Sequence, residues 1–314
     1  MNKKLLIVPI LGMALAGLVA CGEKTEQPTG EVTDKAGYTV DTSKFEEELT
    51  IYGGCEEEYL EAISDAFSKK WNVNVTYIRL SSGEIETKIK EENGNPSADV
   101  LFGGTTDPYN ALKIAGLLEN YNAQRGSHIK ESYFKDPDGA WYGIYKGILG
   151  FMYNKNRIAE LNLPAPTGWE DLTKSVYKGY ITSSNPSTAG TAKLVVNTNI
   201  QRLAGGKKVD GHYDTTKGLQ YLVDLDKNVV EYTKSGSGAS KQVGKGECVV
   251  GIGFLHDGIT QIVDNGYKNI LLLGSDAEFG GRKFYYEKQN IEAYMMSKEI
   301  TLTDRSCWLF RDAL

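Results

Sequence analysis

The run GIGFLHDGIT, residues 251–260, ends an apolar stretch with His256 and Asp257 side by side. A histidine next to a carboxylate can pass a proton, bind a metal, or hydrogen-bond a hydroxylated molecule. Three other short segments carry polar groups of a different kind. Ser81, Ser82 and Gly83 form one; NPSTAGTAK, with Ser187, Thr188, Gly190 and Thr191, forms another; SGSGAS, with Ser235 and Ser237, forms the third. Each supplies hydroxyls and glycine directly ahead of a helical pattern. The first N–H groups of a helix have no partner within it and favour a negative ligand, while hydroxyls add donors without adding charge. One such loop is usually just a turn and an N-cap. Three together favour a ligand the size of a phosphate or carboxylate.

Catalytic readings have less support. There is no G-x-S-x-G elbow, no G-x-x-x-x-G-K-[ST] loop and no H-E-x-x-H motif. No nucleophile stands beside His256–Asp257, and adjacent strand residues point to opposite faces unless a turn redirects them. We therefore expect no catalytic residue and no cofactor. His128 and His212 lie in polar segments and read as solvated. The formal charge of -6, with no lysine–arginine cluster, gives no reason to expect nucleic acid.

The elements that must position these loops alternate. ELTIYGG (48–54) reads as a strand, CEEEYLEAISDAFSKKW as a helix with Leu60, Ile63 and Phe67 on one face, and VNVTYIRL (73–80) as a second strand. The helical stretch EIETKIKEEN, the strand ADVLFGG (98–104) and the helix DPYNALKIAGLLE follow. This order predicts an α/β lobe on a mostly parallel sheet. The turns at 53–54, 81–83 and 103–105 all follow the C-terminal ends of strands, the edge where open α/β sheets collect ligands. Residues 141–154 read as two β-like runs around Gly147 that cross into a second lobe, where Thr167 is placed to cap a helix carrying Trp169 and Leu172. Strand–loop–helix patterns recur at 180–196 and 247–267, and NILLLG (269–274) predicts a further strand.

At the N-terminus, Lys3 and Lys4 precede an apolar segment (5–20), and Leu18 and Ala20 precede Cys21. Charge, apolar run and small residue, in that order, predict a secretory signal. A cysteine at the cut site is the lipobox of bacterial lipoproteins. Residues 1–21 are thus expected to be a signal with its lipidation site at Cys21, and 22–47 a polar tether. An exported, membrane-anchored lipoprotein follows, held in the periplasm or on the outer face of the cell membrane. Cys55, Cys248 and Cys307 are left, an odd number matching no zinc spacing, and read as buried or spare thiols.

Longer blocks carry a resemblance. LSSGEIETKIKEENGNPSADVLFGGTTDPYNALKIAGLLENY, WYGIYKGILGFMYNKNRIAELNLPAPTGWEDLTKSVYKGYI, NPSTAGTAK and GKGECVVGIGFLHD resemble the extracellular solute-binding proteins of ABC importers, in the cluster that binds ferric iron, phosphonates or sugar phosphates. The resemblance implies a two-lobe periplasmic-binding-protein fold of α/β class closing on a solute. The expected lobes are 48–143 and 144–270, with 271–314 returning to the first lobe and atypical, as if shortened. It implies a monomeric, non-catalytic receptor that delivers a small anionic solute to ABC permease subunits.

Carried over by residue, the anion loops fall on Ser81, Ser82 and Gly83, on Ser187, Thr188, Gly190 and Thr191, and on Ser235 and Ser237. His256 and Asp257 match the position that meets sugar hydroxyls, and Glu278 stands in for an acidic loop residue. Iron-binding relatives place a tyrosine pair near the FLHD position, which holds no tyrosine here; Tyr285 and Tyr286 lie downstream. Fe(III) favours hard phenolate or carboxylate oxygens. A phosphate- or phosphonate-containing solute is therefore preferred, with a ferric-iron receptor as the alternative and an exported phosphate-ester hydrolase as a remote third.

Overall fold

A computed structural model describes residues 30–33, 37–130 and 132–274. Cys21, Glu278, Tyr285, Tyr286 and Cys307 lie outside the described residues. Within the segment expected to be a tether, β1 (Glu31–Thr33) pairs antiparallel with β2 (Thr39–Asp41), with Val32 opposite Val40. The tether reading is corrected there: alternating valines give the short ladder one apolar rung, and Thr42 closes it through bonds to the Gly30 carbonyl.

The first lobe is built from β3 (Glu48–Gly53), α1 (Glu57–Trp71), β4 (Asn74–Arg79), α2 (Ser82–Glu92), β5 (Val100–Phe102) and α3 (Thr106–Ile114). Its sheet has the order β4-β3-β5 and is parallel throughout, as the alternation predicted. α1 and α2 stop at Asn72 (φ 54) and Asn93 (φ 48), where asparagine accepts the left-handed conformation that ends a helix. Tyr52, Ile85 and Leu112 form one buried cluster, and Ile51, Cys55 and Leu60 another. Gly53 is needed where β3 crosses α1, since a Cβ there would lie 2.2 Å from a Leu60 methyl.

The second lobe follows, from β6 (Leu149–Asn154) and α4 (Lys155–Glu160) through β7 (Ile181–Ser184), α5 (Gly190–Leu203), β8 (Lys208–Val209), β9 (His212–Tyr213) and α6 (Thr216–Asp226). It continues with β10 (Val229–Thr233), α7 (Gly238–Lys245), β11 (Val250–Phe254), α8 (Leu255–Val263) and β12 (Ile270–Gly274). The five-stranded sheet has the order β10-β7-β11-β6-β12. β7 runs parallel to β10 and β11, whereas β6 is antiparallel to β11 and β12. Phe151, Trp169, Leu172, Ile181, Val250 and Ile252 are sealed inside it, with the Phe151 and Trp169 rings edge to face at 5.8 Å.

Three expectations change here. Of residues 141–154 only Leu149–Asn154 is a strand, and Asn154 caps α4 by accepting from the N–H groups of Asn156 and Arg157. Thr167 caps no helix: its N–H and hydroxyl both donate to the Asp171 carboxylate, and Trp169–Thr173 is a single 3-10 turn. The expected return to the first lobe from residue 271 does not occur through Gly274, because the apolar ILLLG pairs with β6 at the edge of the second sheet. No helix among the described residues is long and apolar enough to cross a membrane.

Candidate functional site

The candidate loops meet between the lobes. α2 begins at Ser82, two residues before the helical stretch read from the sequence. Ser81 is its N-cap in a capping box, its side chain accepting from the third residue's N–H while Glu84 accepts from the Ser81 N–H at 3.0 Å. Ser82 and Gly83 are therefore first-turn residues with inward-facing backbone, and both are buried. Opposite them, α5 opens with Gly190 and Thr191, also buried. Side chains on those two turns would collide: a Cβ on Gly190 would sit 2.3 Å from Thr105 Oγ1 and 3.0 Å from Ser82 Cβ. Glycine at 190 is what lets the two lobes come this close.

Several predicted donors are consumed in holding the lobes together. The Gly83 N–H donates across the cleft to the Thr188 carbonyl at 2.9 Å. The Ser81 and Thr188 hydroxyls both donate to the Lys234 carbonyl, at 3.3 and 2.7 Å. Ser187 is exposed, and its N–H and hydroxyl donate to Asn185 Oδ1 within its own turn. Ser81, Gly83 and Thr188 thus sit at a protein–protein seam, and Ser187 at its outer rim. Ser82, Gly190 and Thr191 lie deeper. A groove of about 350 Å3 opens along that rim, with Gly83, Thr87 and Lys88 on one side and Ser187 and Thr188 on the other. A larger depression of about 510 Å3, lined by Thr173, Ser175, Lys178, Asp224, Lys227 and Asn228, belongs to the second lobe alone and holds none of the predicted residues.

The third loop continues the same surface. Ser235 and Ser237 flank Gly236 ahead of α7, and their hydroxyls are 3.4 Å apart. A Cβ on Gly236 would lie 2.1 Å from Thr191 Oγ1, so this loop packs on the first turn of α5. The Gly236 carbonyl in turn approaches Gly253 at the end of β11. From there the chain enters α8 without an intervening turn. His256 and Asp257 are its second and third residues, so a helix start, not a strand end, brings both toward the cleft.

His256 stacks on Phe254 (centroids 5.0 Å) and meets Tyr145 edge-on at 6.3 Å, while its Nε2 lies 3.4 Å from Asp257 Oδ1. Burial pushes the Asp257 pKa up to about 8, with the Glu56 carboxylate adding to the rise and Lys241 and Arg79 opposing it. Crowding by the surrounding protein lowers His256 to about 4. At neutral pH the pair is mainly a neutral imidazole beside a carboxylic acid, so it offers both donors and acceptors.

Sequence reasoning missed several groups in this region. The Tyr145 hydroxyl accepts from the Gly104 N–H at 2.7 Å, linking the strand-crossing segment to the loop before α3. Thr105, the N-cap of α3, is buried against Ser82, whose hydroxyl accepts the Thr105 N–H at 3.4 Å. The turn at 103–105 is placed at the ligand edge by the sequence, but GGTTDP, a strand followed by glycine, hydroxyls and a helix, does not single out Thr105 as a donor. Glu56, Glu84 and Glu86 of the first lobe pair with Lys241, Lys234 and Lys193 of the second, at 3.2, 2.6 and 3.2 Å. No local pattern marks those pairs. The thiols of Cys55 and Cys248 are free and buried, and burial raises them to about 12 and about 11.

Residues 95–260, just over half the chain, match the family described as bacterial extracellular solute-binding protein. The chain belongs to that family. This solute-binding protein is 37% identical over 214 residues to an uncharacterised protein of Haemophilus influenzae, covering 67% of the chain and 59% of the relative. It is 29% identical over 202 residues to a candidate 2-aminoethylphosphonate-binding periplasmic protein of Salmonella typhimurium, covering 64% of the chain and 54% of the relative. It therefore spans somewhat more than half the length of each. Among solved structures it is similar to the periplasmic binding protein AfuA of Actinobacillus pleuropneumoniae with fructose-6-phosphate bound, at 32% identity and a TM-score of 0.62 over 72% of this chain and 68% of that one. Iron-bound HitA of Pseudomonas aeruginosa shares the fold, at 23% identity and a TM-score of 0.58 over 80% of this chain and 81% of that one.

Proposed function

We propose that this protein captures a phosphate- or phosphonate-bearing solute between its lobes and hands it to the permease of an ABC importer. The observation that carries the reading is the convergence of helix starts. The first turns of α2 and α3 from one lobe meet that of α5 from the other, and the loop ahead of α7 packs on the start of α5. Three positive dipole ends with buried hydroxyls suit an anion, which both lobes can grip only when closed. His256 and Asp257, in their neutral forms, suit hydroxyls on the remainder of the solute. The names of the Salmonella and Actinobacillus relatives agree with this class.

The same groups support a receptor in preference to a catalyst: the hydroxyl nearest His256 along α8, that of Thr260, donates to the His256 carbonyl and not to its ring. Ferric iron fits less well. The cleft tyrosines Tyr59, Tyr109 and Tyr145 all have pKa values raised by burial, and the Tyr109 hydroxyl donates to the Gly103 carbonyl, which requires its proton. Export as a lipoprotein anchored through Cys21, and action as a monomer, remain part of the proposal and rest on the N-terminal sequence and the family.

The test is a thermal-shift screen against inorganic phosphate, 2-aminoethylphosphonate, fructose-6-phosphate and ferric citrate. A phosphorus compound should raise the melting temperature in a graded way with concentration. A rise with ferric citrate alone would replace this reading with an iron receptor. Turnover of a generic phosphate ester would replace it with a hydrolase.

A further inference from the structure

The start of α3 contributes a group that nothing above has assigned. Thr105 is 8% exposed, and its hydroxyl oxygen is buried with no hydrogen-bond partner among the described residues. A threonine at an N-cap ordinarily turns that oxygen back onto its own helix, but here it makes no capping bond. It is aimed instead across the cleft, since the space where a Gly190 Cβ would be lies 2.3 Å from it. Ser82 Oγ is on its other side, accepting the Thr105 N–H. The hydroxyl thus lies where the first turns of α2, α3 and α5 meet.

A buried hydroxyl with no partner is uncommon in a folded protein and calls for a reason. We propose that Thr105 is a solute-contacting residue, its hydroxyl donating to an oxygen of the anionic group seated among the first turns of α2, α3 and α5. This rests on the phosphate-type reading given above and extends it to a third helix of the cleft. Asp107, on the same turn, would repel an anion, as would Glu84 and Glu86 of α2, but those two glutamates are paired with Lys234 and Lys193 of the second lobe. Asp107 Oδ2 is also buried and unpartnered among the described residues, burial raises its pKa, and Lys193 of the second lobe offsets its charge. The donor is therefore the threonine, and the lysine keeps the turn from becoming a barrier.

Thr105→Val and Thr105→Ser test this in the full chain, with melting temperature and solute affinity measured side by side. Thr105→Val deletes a hydroxyl that bonds nothing among the described residues, so its melting temperature without solute should equal or exceed that of the wild type. Its Kd for the phosphorus compound that binds the wild type should rise about tenfold or more, the usual cost of losing a hydrogen bond to a charged group. Thr105→Ser, which keeps the donor, should recover most of that loss. Wild-type affinity in Thr105→Val would overturn the assignment, as would a fall in melting temperature that Thr105→Ser does not repair. A wild-type protein that binds no phosphorus compound would overturn the broader reading and this one with it, and is recognisable because the wild type itself is silent.

Discussion

At the scale of single residues, His256 and Asp257 make the pH response predictable. The native state holds a proton on Asp257 that the unfolded chain gives up, so from pH 3.8 to about 8 this group costs stability as pH rises. His256 does the reverse: the unfolded chain takes up a proton that the native imidazole refuses, so stability rises from about pH 4 to 6.5. The two slopes oppose one another below pH 6.5. Only the Asp257 slope remains between about 6.5 and 8, a net loss on the order of 2 kcal/mol at one pKa unit per 1.36 kcal/mol. Asp257→Asn copies the protonated shape and should remove that loss. Melting curves of the two proteins should diverge between pH 6.5 and 8.5, with the wild type falling by several degrees more. Parallel curves would mean that Asp257 is ionised in the folded protein.

At the scale of elements, the cleft is an arrangement of helix starts, and Gly190 governs how closely they meet. Its φ is not in the left-handed region, so alanine is compatible with the backbone and favours a helix. The added methyl would still overlap Thr105 Oγ1 and crowd Ser82 Cβ. Gly190→Ala should therefore lower the melting temperature, because the seam between the lobes must part, and weaken solute binding by at least tenfold, read by calorimetric titration. Undiminished affinity would show that the solute is held with the two turns further apart.

Much of this level was legible in advance. The βα alternation of the first lobe and the glycine–hydroxyl loops follow from local spacing, because a turn into a helix must be built from those residues. Which donors face a solute was not legible. Gly83 and Thr188 carry the same chemistry as Ser82 and Thr191, and only packing between distant segments spends the first pair on one another. The antiparallel set β11-β6-β12 was hidden for a similar reason, since buried apolar strands read alike whichever way they pair. The turn at 103–105 is legible as part of the ligand edge, but the role of Thr105 itself is not, because its loop resembles an ordinary N-cap and what distinguishes it is a bond it does not make among the described residues.

At the scale of the whole molecule, the three ion pairs across the cleft share a polarity, glutamate on the first lobe and lysine on the second. Each is partly exposed and worth about 0.2–1 kcal/mol, but together they bias the same motion. Salt screens such pairs, so the solute-free protein should open as ionic strength rises. Small-angle scattering should report a larger radius of gyration at high salt for the wild type. A Lys193→Gln, Lys234→Gln, Lys241→Gln variant should already be open at low salt and respond little further. Equal salt responses in the two proteins would remove the pairs from any part in closure.

The bond from the Gly83 N–H to the Thr188 carbonyl has a wider consequence. It joins protein to protein, so it favours closure equally whether or not cargo is aboard, and a ligand shifts an equilibrium only through what it binds differently. In a receptor of the kind proposed, such contacts would set a background rate of false deliveries, in which a permease engages a closed receptor and gains nothing to transport. Strengthening the seam would make a faster clasp and a noisier messenger. On the proposed function, fidelity of import would depend on the deep hydroxyls outweighing the seam.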